Sequence, residues 1–234
     1  MNDFSHALWL ALELVISLDP DLTEIVGLSL TVSLSAVAIA TAVGLPLGTA
    51  LATLTFPGRK LVMALLSGLM GLPPVVVGLV VYLLLSRSGP LGTLGLLYTP
   101  EAMIIAQTLL IIPIVASLSR QTAEDLWSEY REQLTSLGCS PARAIPTLLY
   151  DGRYRLTTAV LAGFGRASAE VGAVMIVGGN IDHLTRVMTS AIALETSRGE
   201  LSLALALGMI LILLSFMINA TSYIVRDRVK EGNL

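Results

Sequence analysis

Arg166 and Glu170 stand four residues apart in an otherwise uncharged stretch of about 156–181. On a helix that spacing puts them on one face. Ionisable groups at membrane depth are costly and turn toward the protein interior or a cavity. Two readings stand. In one, the residues pair with each other or with a neighbouring helix and fix packing. In the other they belong to a gate or line a pathway, where the arginine attracts an anion and Glu170 tempers the attraction, because conduction needs weak binding. Catalytic constellations are missing. Two histidines, His6 and His183, and one cysteine, Cys139, make no Cys/His metal set. There is no Gly-x-x-x-x-Gly-Lys-Ser/Thr phosphate loop, no Gly-x-Ser-x-Gly elbow and no His-Glu-x-x-His. No cofactor or metal is expected on this chain.

A second constellation lies in the polar segment 120–155. Thr122-Ala123-Glu124-Asp125 reads as a helix start, with a threonine cap and early acids. Leu126, Tyr130, Leu134 and Leu137 then recur at helical steps along one face, with Trp127 beside it. Gly138 is a natural stop. Ser140-Pro141 opens a second helix as cap and first helical residue, and Pro146 keeps it short. The result is a helix–turn–helix whose stripe packs on the protein's own spans or sits in a groove of a soluble partner.

The third is Gly71-Leu72-Pro73-Pro74, in the middle of an apolar run. Two prolines remove two backbone donors and break the helix. Such a break needs burial in protein or a water lining. Pro46 and Pro113 add weaker breaks in two other runs.

The elements that hold these residues follow from composition. Of 234 residues, 54% are hydrophobic and only 13% charged, with net charge −3. A soluble domain carries about 25% charge. This excludes a disordered chain and a nucleic-acid binder, and a single cysteine excludes a disulfide scaffold. A helix needs about 20 apolar residues to cross the bilayer. Five candidate spans result, at about 25–56, 61–86, 102–119, 156–181 and 201–225, in one all-α membrane domain, 1–234. Ala7–Leu18, too short to span, reads as a helix in the interface or packed on the outside. It is no signal peptide, since no basic residue precedes Arg59. With the N-terminus outside, ten basic residues fall inside (59, 60, 120, 131, 143, 153, 155, 226, 228, 230) and three outside (87, 186, 198). The basic excess marks the cytoplasmic side, so the C-terminus is cytoplasmic. Outside, Asp182, His183, Arg186, Glu195, Arg198 and Glu200 read as a solvated loop before the last span. With nine residues after Val225, an added cytoplasmic regulatory domain is not expected.

Glu132-Gln133-Leu134-Thr135-Ser136-Leu137-Gly138 resembles the coupling loop of ABC-importer permeases, whose pattern is Glu-Ala-Ala, three residues, Gly, nine residues, Ile-x-Leu-Pro. Glu132 and Gly138 keep the spacing. Gln133 and Leu134 replace the alanines, and Leu148, Tyr150 and Asp151 stand where Ile, Leu and Pro are expected. The Pro-Pro run followed by Ser88-Gly89-Pro90-Leu91-Gly92 resembles the molybdate, tungstate and sulfate branch of these permeases. So does Gly165-Arg166-Ala167-Ser168-Ala169-Glu170-Val171-Gly172 followed by Gly178-Gly179-Asn180-Ile181. The resemblance covers about residues 25–225, and its overall look is nearest the tungstate permeases.

That resemblance implies a type I importer permease in a prokaryotic cell membrane. It implies a homodimer, two ATP-binding cassette subunits that hold ATP and Mg, and an extracytoplasmic oxyanion-binding protein that meets the outer face. Coupling would run through residues 122–146, chiefly Glu132, Leu134, Leu137 and Gly138 with Ser140 and Pro141. Pro73, Pro74, Arg166, Ser168, Glu170, Gly172 and Asn180 become pathway or gate candidates. The cargo is most simply tungstate; molybdate and sulfate are alternative cargoes of the same family. An ion-driven secondary carrier is the competing class, and the lack of an evident internal repeat counts against it.

Overall fold

Proline stands at the first residue of four helices, where its missing N–H costs nothing and its fixed φ favours the helix. These are α2 (Pro20–Thr53), α4 (Pro74–Leu85), α5 (Pro100–Ser136) and α6 (Pro141–Asp151). The other helices of this computed structural model are α1 (Asn2–Ile16), α3 (Arg59–Met70), α7 (Arg153–Ser168), α8 (Gly172–Gly178), α9 (Met188–Arg198) and α10 (Leu201–Glu231). The structure describes residues 2–231, and no strand occurs among them. The ends of the expected domain 1–234, Met1 and residues 232–234, lie outside the described residues, as do the side chains of the basic tail residues Arg226, Arg228 and Lys230.

Three helices are long and apolar enough to cross a membrane: α2, α5 and the stretch Leu201–Ile218 of α10. Two helix pairs bring the number to as many as five if each counts as one span. These are α3 with α4, bent by 103°, and α7 with α8, bent by 60°. The Pro-Pro break therefore turns the chain far more than a kink would. Pro46 and Pro113 break nothing: each lies inside a continuous helix. One proline removes a single hydrogen bond, which a long helix tolerates in a membrane, whereas Pro73 and Pro74 remove two successive donors directly after Leu72. The interruption at Ala169–Val171 was not expected from sequence.

Two further expectations change. No helix starts at Thr122, because α5 runs unbroken from the apolar run into the polar segment. Leu118-Ser119-Arg120-Gln121 contains no breaker, so there is no free N-terminus for Thr122 to cap. Residues 188–198 are not a solvated loop but helix α9, with Met188, Ser190, Ala191 and Glu195 buried. The expected N-terminal helix forms as α1. Its Ala11 is buried in a cluster with Leu22, Ile25, Met188, Ala191, Ala206 and Leu207, while Trp9, Leu12 and Ile16 form an exposed apolar stripe.

The chain packs as two compact units. One comprises residues 1–35, 74–107 and 167–221, the other 36–73, 108–166 and 222–234. In the first, α4 packs on α8, and the contact is close because it has no side chain to hold it open. A Cβ at Gly78 would lie 2.7 Å from the Cα of Ala173, and one at Gly172 would lie 2.7 Å from Cγ2 of Val75. In the second, α2 meets α5 through Gly44 and Gly48. A Cβ at Gly44 would stand 3.0 Å from Val115, and one at Gly48 would run into the backbone of Ala116. Small residues four apart allow helix backbones to approach where lipid offers no hydrophobic drive for association. Thr49 and Ser119 share this seam, both donating to the Leu45 carbonyl, at 2.9 and 3.0 Å.

Gly78→Ala should therefore force α4 from α8, at a cost of about 1–3 kcal/mol for an overpacked contact. Thermal unfolding of the purified chain reads this as a lowered midpoint. Gly68→Ala is the control: its Cβ meets nothing within 4 Å, and the midpoint should hold or rise.

Candidate functional site

The polar hairpin is built by its own stripe. Leu126, Ala144 and Leu148 form a buried cluster, with Trp127, Tyr130, Leu134 and Cys139 packed against it. The stripe thus divides. Leu126, Tyr130 and Leu134 join α5 to α6, while Leu137 is 82% exposed at the tip. Gly138 ends α5 at φ +75°, a left-handed conformation that favours glycine. The N–H groups of Gly138 and Cys139 take the Thr135 and Leu134 carbonyls at 3.0 and 2.9 Å. Ser140 then precedes Pro141 at the first position of α6, as expected, and Pro146 is accommodated within an eleven-residue helix. Glu132, Leu137, Gly138, Ser140 and Pro141 are exposed together around this turn, and Leu134 is half-buried beneath them.

At the base of the hairpin, Glu124 joins two arginines. Its Oε1 accepts from Arg59 Nη2 at 3.0 Å, and its Oε2 accepts from Arg120 Nη1 at 2.6 Å. Arg59 Nε also donates to the Leu51 carbonyl at 2.6 Å, near the end of α2. One carboxylate therefore ties α5 to the start of α3 and the end of α2. The acid read from sequence as a helix-start residue is the centre of this network.

The two breaks solve the same backbone problem differently. At Pro73 and Pro74 there are no donors to satisfy; Pro73 is exposed and Pro74 half-buried. At the other break the donors and acceptors find side chains. The Ala167 carbonyl accepts from Gln107 Nε2 at 3.3 Å and from the Glu170 N–H at 3.2 Å. The Glu170 carbonyl accepts from Thr189 Oγ1 at 2.8 Å. The Glu170 carboxyl, 3% exposed, accepts from the Ala173 N–H at 2.9 Å and so caps α8. Arg166 and Ser168 are half-buried at the end of α7, and Gly172 begins α8 against Val75.

Asn180 belongs to a turn after α8. Gly179 and Asn180 have φ of +73° and +51°. Ser190 Oγ donates to Asn180 Oδ1 at 2.8 Å, and Thr185 Oγ1 receives the Ile181 N–H at 2.9 Å. This turn leads to His183, also left-handed at φ +54°. His183 Nδ1 lies 2.9 Å from Glu24 Oε2 and pins the turn to the first part of α2. Arg186 pairs with Asp182 at 2.7 Å, and buried Glu195 with Arg198 at 3.2 Å. Sequence reasoning missed Gln107, Thr185, Thr189 and Ser190 as positioning residues; polar residues in apolar runs were the available signal.

A set of interrupted apolar helices carrying a polar, amphipathic hairpin defines a multi-pass membrane permease. No protein-family model matches the chain, but whole-length relatives do. It is 44% identical over 217 residues to the tungstate uptake system permease protein TupB of Peptoclostridium acidaminophilum, covering 93% of this chain and 95% of that protein. It is 42% identical to a probable anion ABC transporter permease protein of Haloferax volcanii, covering 91% and 94%. It is 27% identical to the sulfate transport system permease protein CysW of a Synechocystis species, covering 90% and 79%. The chain belongs to the TupB family of ABC-transporter permease subunits, and it is a multi-pass cell-membrane protein of a prokaryote.

Two outcomes follow. Glu170→Ala removes the acceptor of the Ala173 N–H, a helix cap worth about 0.5–2 kcal/mol, and should lower the unfolding midpoint. Separately, the hydrogen bond to Glu24 raises the His183 pKa above its ordinary value of about 6.5, helped by the charges of Glu24, Asp182 and Asp21. A raised folded pKa means that the tie is full below that ordinary value and is lost as pH climbs through the raised one. The unfolding midpoint should therefore fall between about pH 6 and about pH 9 more in the wild type than in Glu24→Gln.

Proposed function

We propose that this chain forms the membrane pathway of an ATP-driven tungstate importer. The reading is carried by its 44% identity to a tungstate uptake permease along 95% of that protein. The exposed hairpin tip supports it. In this reading the single permease domain, 1–234, works as a homodimer with the N-terminus outside and the C-terminus in the cytoplasm. Two ATP-binding subunits, which hold ATP and Mg and carry out hydrolysis, dock on the hairpin through Glu132, Leu137, Gly138, Ser140 and Pro141, with Leu134 supporting the tip. An amphipathic helix end with one bare leucine suits a groove on a soluble partner.

Closure of the ATP-binding subunits moves the tips. Because α5 is one helix of 37 residues, about 55 Å long, a displacement at Leu137 travels along a rigid rod. Glu124 passes it to α3 through Arg59. The breaks at Pro73-Pro74 and beyond Ser168 are where the spans can yield, so Pro73, Pro74, Arg166, Ser168, Glu170, Gly172 and Asn180 stand as gate or pathway residues or as their supports. Opening outward, the pathway accepts the anion from an extracytoplasmic binding protein. Sulfate and molybdate are tetrahedral dianions like tungstate, and the sulfate permease at 27% identity keeps them as competitors to be tested.

The test is reconstitution of the chain with its ATP-binding and binding-protein partners in liposomes. Tungstate uptake should require ATP. Leu137→Asp should cut it at least about tenfold, the loss of about 1.4 kcal/mol at a docking contact, without lowering the unfolding midpoint. Excess molybdate or sulfate should compete weakly. Uptake by the chain alone, along an ion gradient and without ATP, would make it a secondary carrier.

A further inference from the structure

The second unit holds a groove of about 300 Å³, at the lower end of the roughly 300–1,000 Å³ typical of small-molecule sites. Thr41, Leu45 and Pro46 of α2 line one side; Leu149 of α6 with Leu156 and Val160 of α7 line the other. Arg153, the exposed first residue of α7, completes it. A seam between helices would need only the apolar part of this set.

Two polar features are unexplained by the fold. First, the Thr41 hydroxyl is buried and has no hydrogen-bond partner. A helical threonine commonly bonds back to the carbonyl four residues earlier. Thr31, Thr49 and Thr53 of the same helix all do so, at 2.8, 2.9 and 3.1 Å. Thr41 does not, and it is one of the residues that line the groove. Pro46, in the same wall, has no N–H to give the Ala42 carbonyl. Second, the Arg153 guanidinium is held in place between two rings, 4.3 Å from the centre of Tyr150 and 4.4 Å from that of Tyr154. It donates to the Tyr150 carbonyl at 2.7 Å and to the Tyr154 hydroxyl at 3.4 Å. An arginine has five N–H donors, so donors remain for an anion. Tyrosine and arginine at the entry of an apolar helix mark the headgroup level of a bilayer.

The order along the groove selects the ligand. From Arg153 to Val160 is about 10 Å of helix, running from a cation at the headgroup level to wholly apolar side chains. A matching molecule is anionic at one end, accepts a hydrogen bond below it and is hydrocarbon beyond. Free phosphate would leave the apolar walls uncovered. We propose that this groove binds one anionic phospholipid, its phosphate on Arg153, an ester carbonyl on the Thr41 hydroxyl, and the upper part of one acyl chain against Leu45, Leu156 and Val160. The site is independent of which anion the chain transports.

Native mass spectrometry of the full chain, purified with its ATP-binding partner, tests this with phosphatidylglycerol, phosphatidylcholine and inorganic phosphate. Phosphatidylglycerol should bind roughly fivefold more tightly than phosphatidylcholine, the preference one basic residue gives for anionic lipid. Arg153→Gln should erase that preference. Thr41→Val should weaken both lipids about threefold, as loss of one hydrogen bond would. Val160→Trp, which fills the groove, should abolish binding of both, and serves if Arg153→Gln does not fold. Equal binding of the two lipids, a preference that survives Arg153→Gln, binding that survives Val160→Trp, or displacement of phosphatidylglycerol by millimolar inorganic phosphate overturns the proposal.

Discussion

A helix in hydrocarbon can be interrupted only if every backbone group it frees is satisfied within the protein or by water in a cavity. This chain interrupts two, and most of its architecture answers that constraint. One interruption uses Pro73 and Pro74, which have no donors to satisfy. The other uses Gln107, Glu170 and Thr189, which reach the Ala167 carbonyl, the Ala173 N–H and the Glu170 carbonyl. The half-helices that follow, α4 and α8, then lie in contact because Gly78 and Gly172 leave no Cβ between them. Bulk at either glycine would push the two half-helices apart. Glu170 is thus part of the scaffold whatever else it does in transport.

The same economy governs the polar hairpin. Its stripe has two jobs, divided by position. The residues nearer the base, Leu126 and Tyr130 with Leu134, close α5 on α6, and only Leu137 is left over for a partner. Because α5 continues without a break into the apolar run, the hairpin is an extension of a span rather than a separate module. Glu124, with Arg59 and Arg120, fixes where that extension begins. A carboxylate shared by two arginines in one network is firmer than an isolated surface pair, which contributes at most about 1 kcal/mol.

Much of this was legible from residue types. The five apolar runs, the stop at Gly138 and the start at Pro141 all follow from local rules: apolar length, a left-handed position that glycine accepts, and proline's fixed φ. The uninterrupted α5 was hidden because Thr122-Ala123-Glu124-Asp125 imitates a helix start, and imitation needs a preceding breaker to become a cap. The interruption at Ala169–Val171 was hidden because it contains no proline; side chains from α5 and α9 hold it open, and neither is near in sequence. Helix α9 was hidden because its charged residues suggested solvent, although Glu195 is buried and pairs with Arg198. The Gly44-Leu45-Pro46-Leu47-Gly48 spacing was a readable packing signal that the proline drew attention from.

The amino-acid sequence by itself determined the class of molecule, the apolar runs and the turn of the hairpin, because each depends on interactions within a few residues or on transfer of a whole segment from water to lipid. Tertiary structure alone decided how the interruption beyond Ser168 is satisfied and where Glu124 is anchored. Those outcomes depend on partners 60 or more residues away, as Gln107 is from Ala167 and Arg59 from Glu124. No local pattern encodes a partner that distant; packing must first bring the two together.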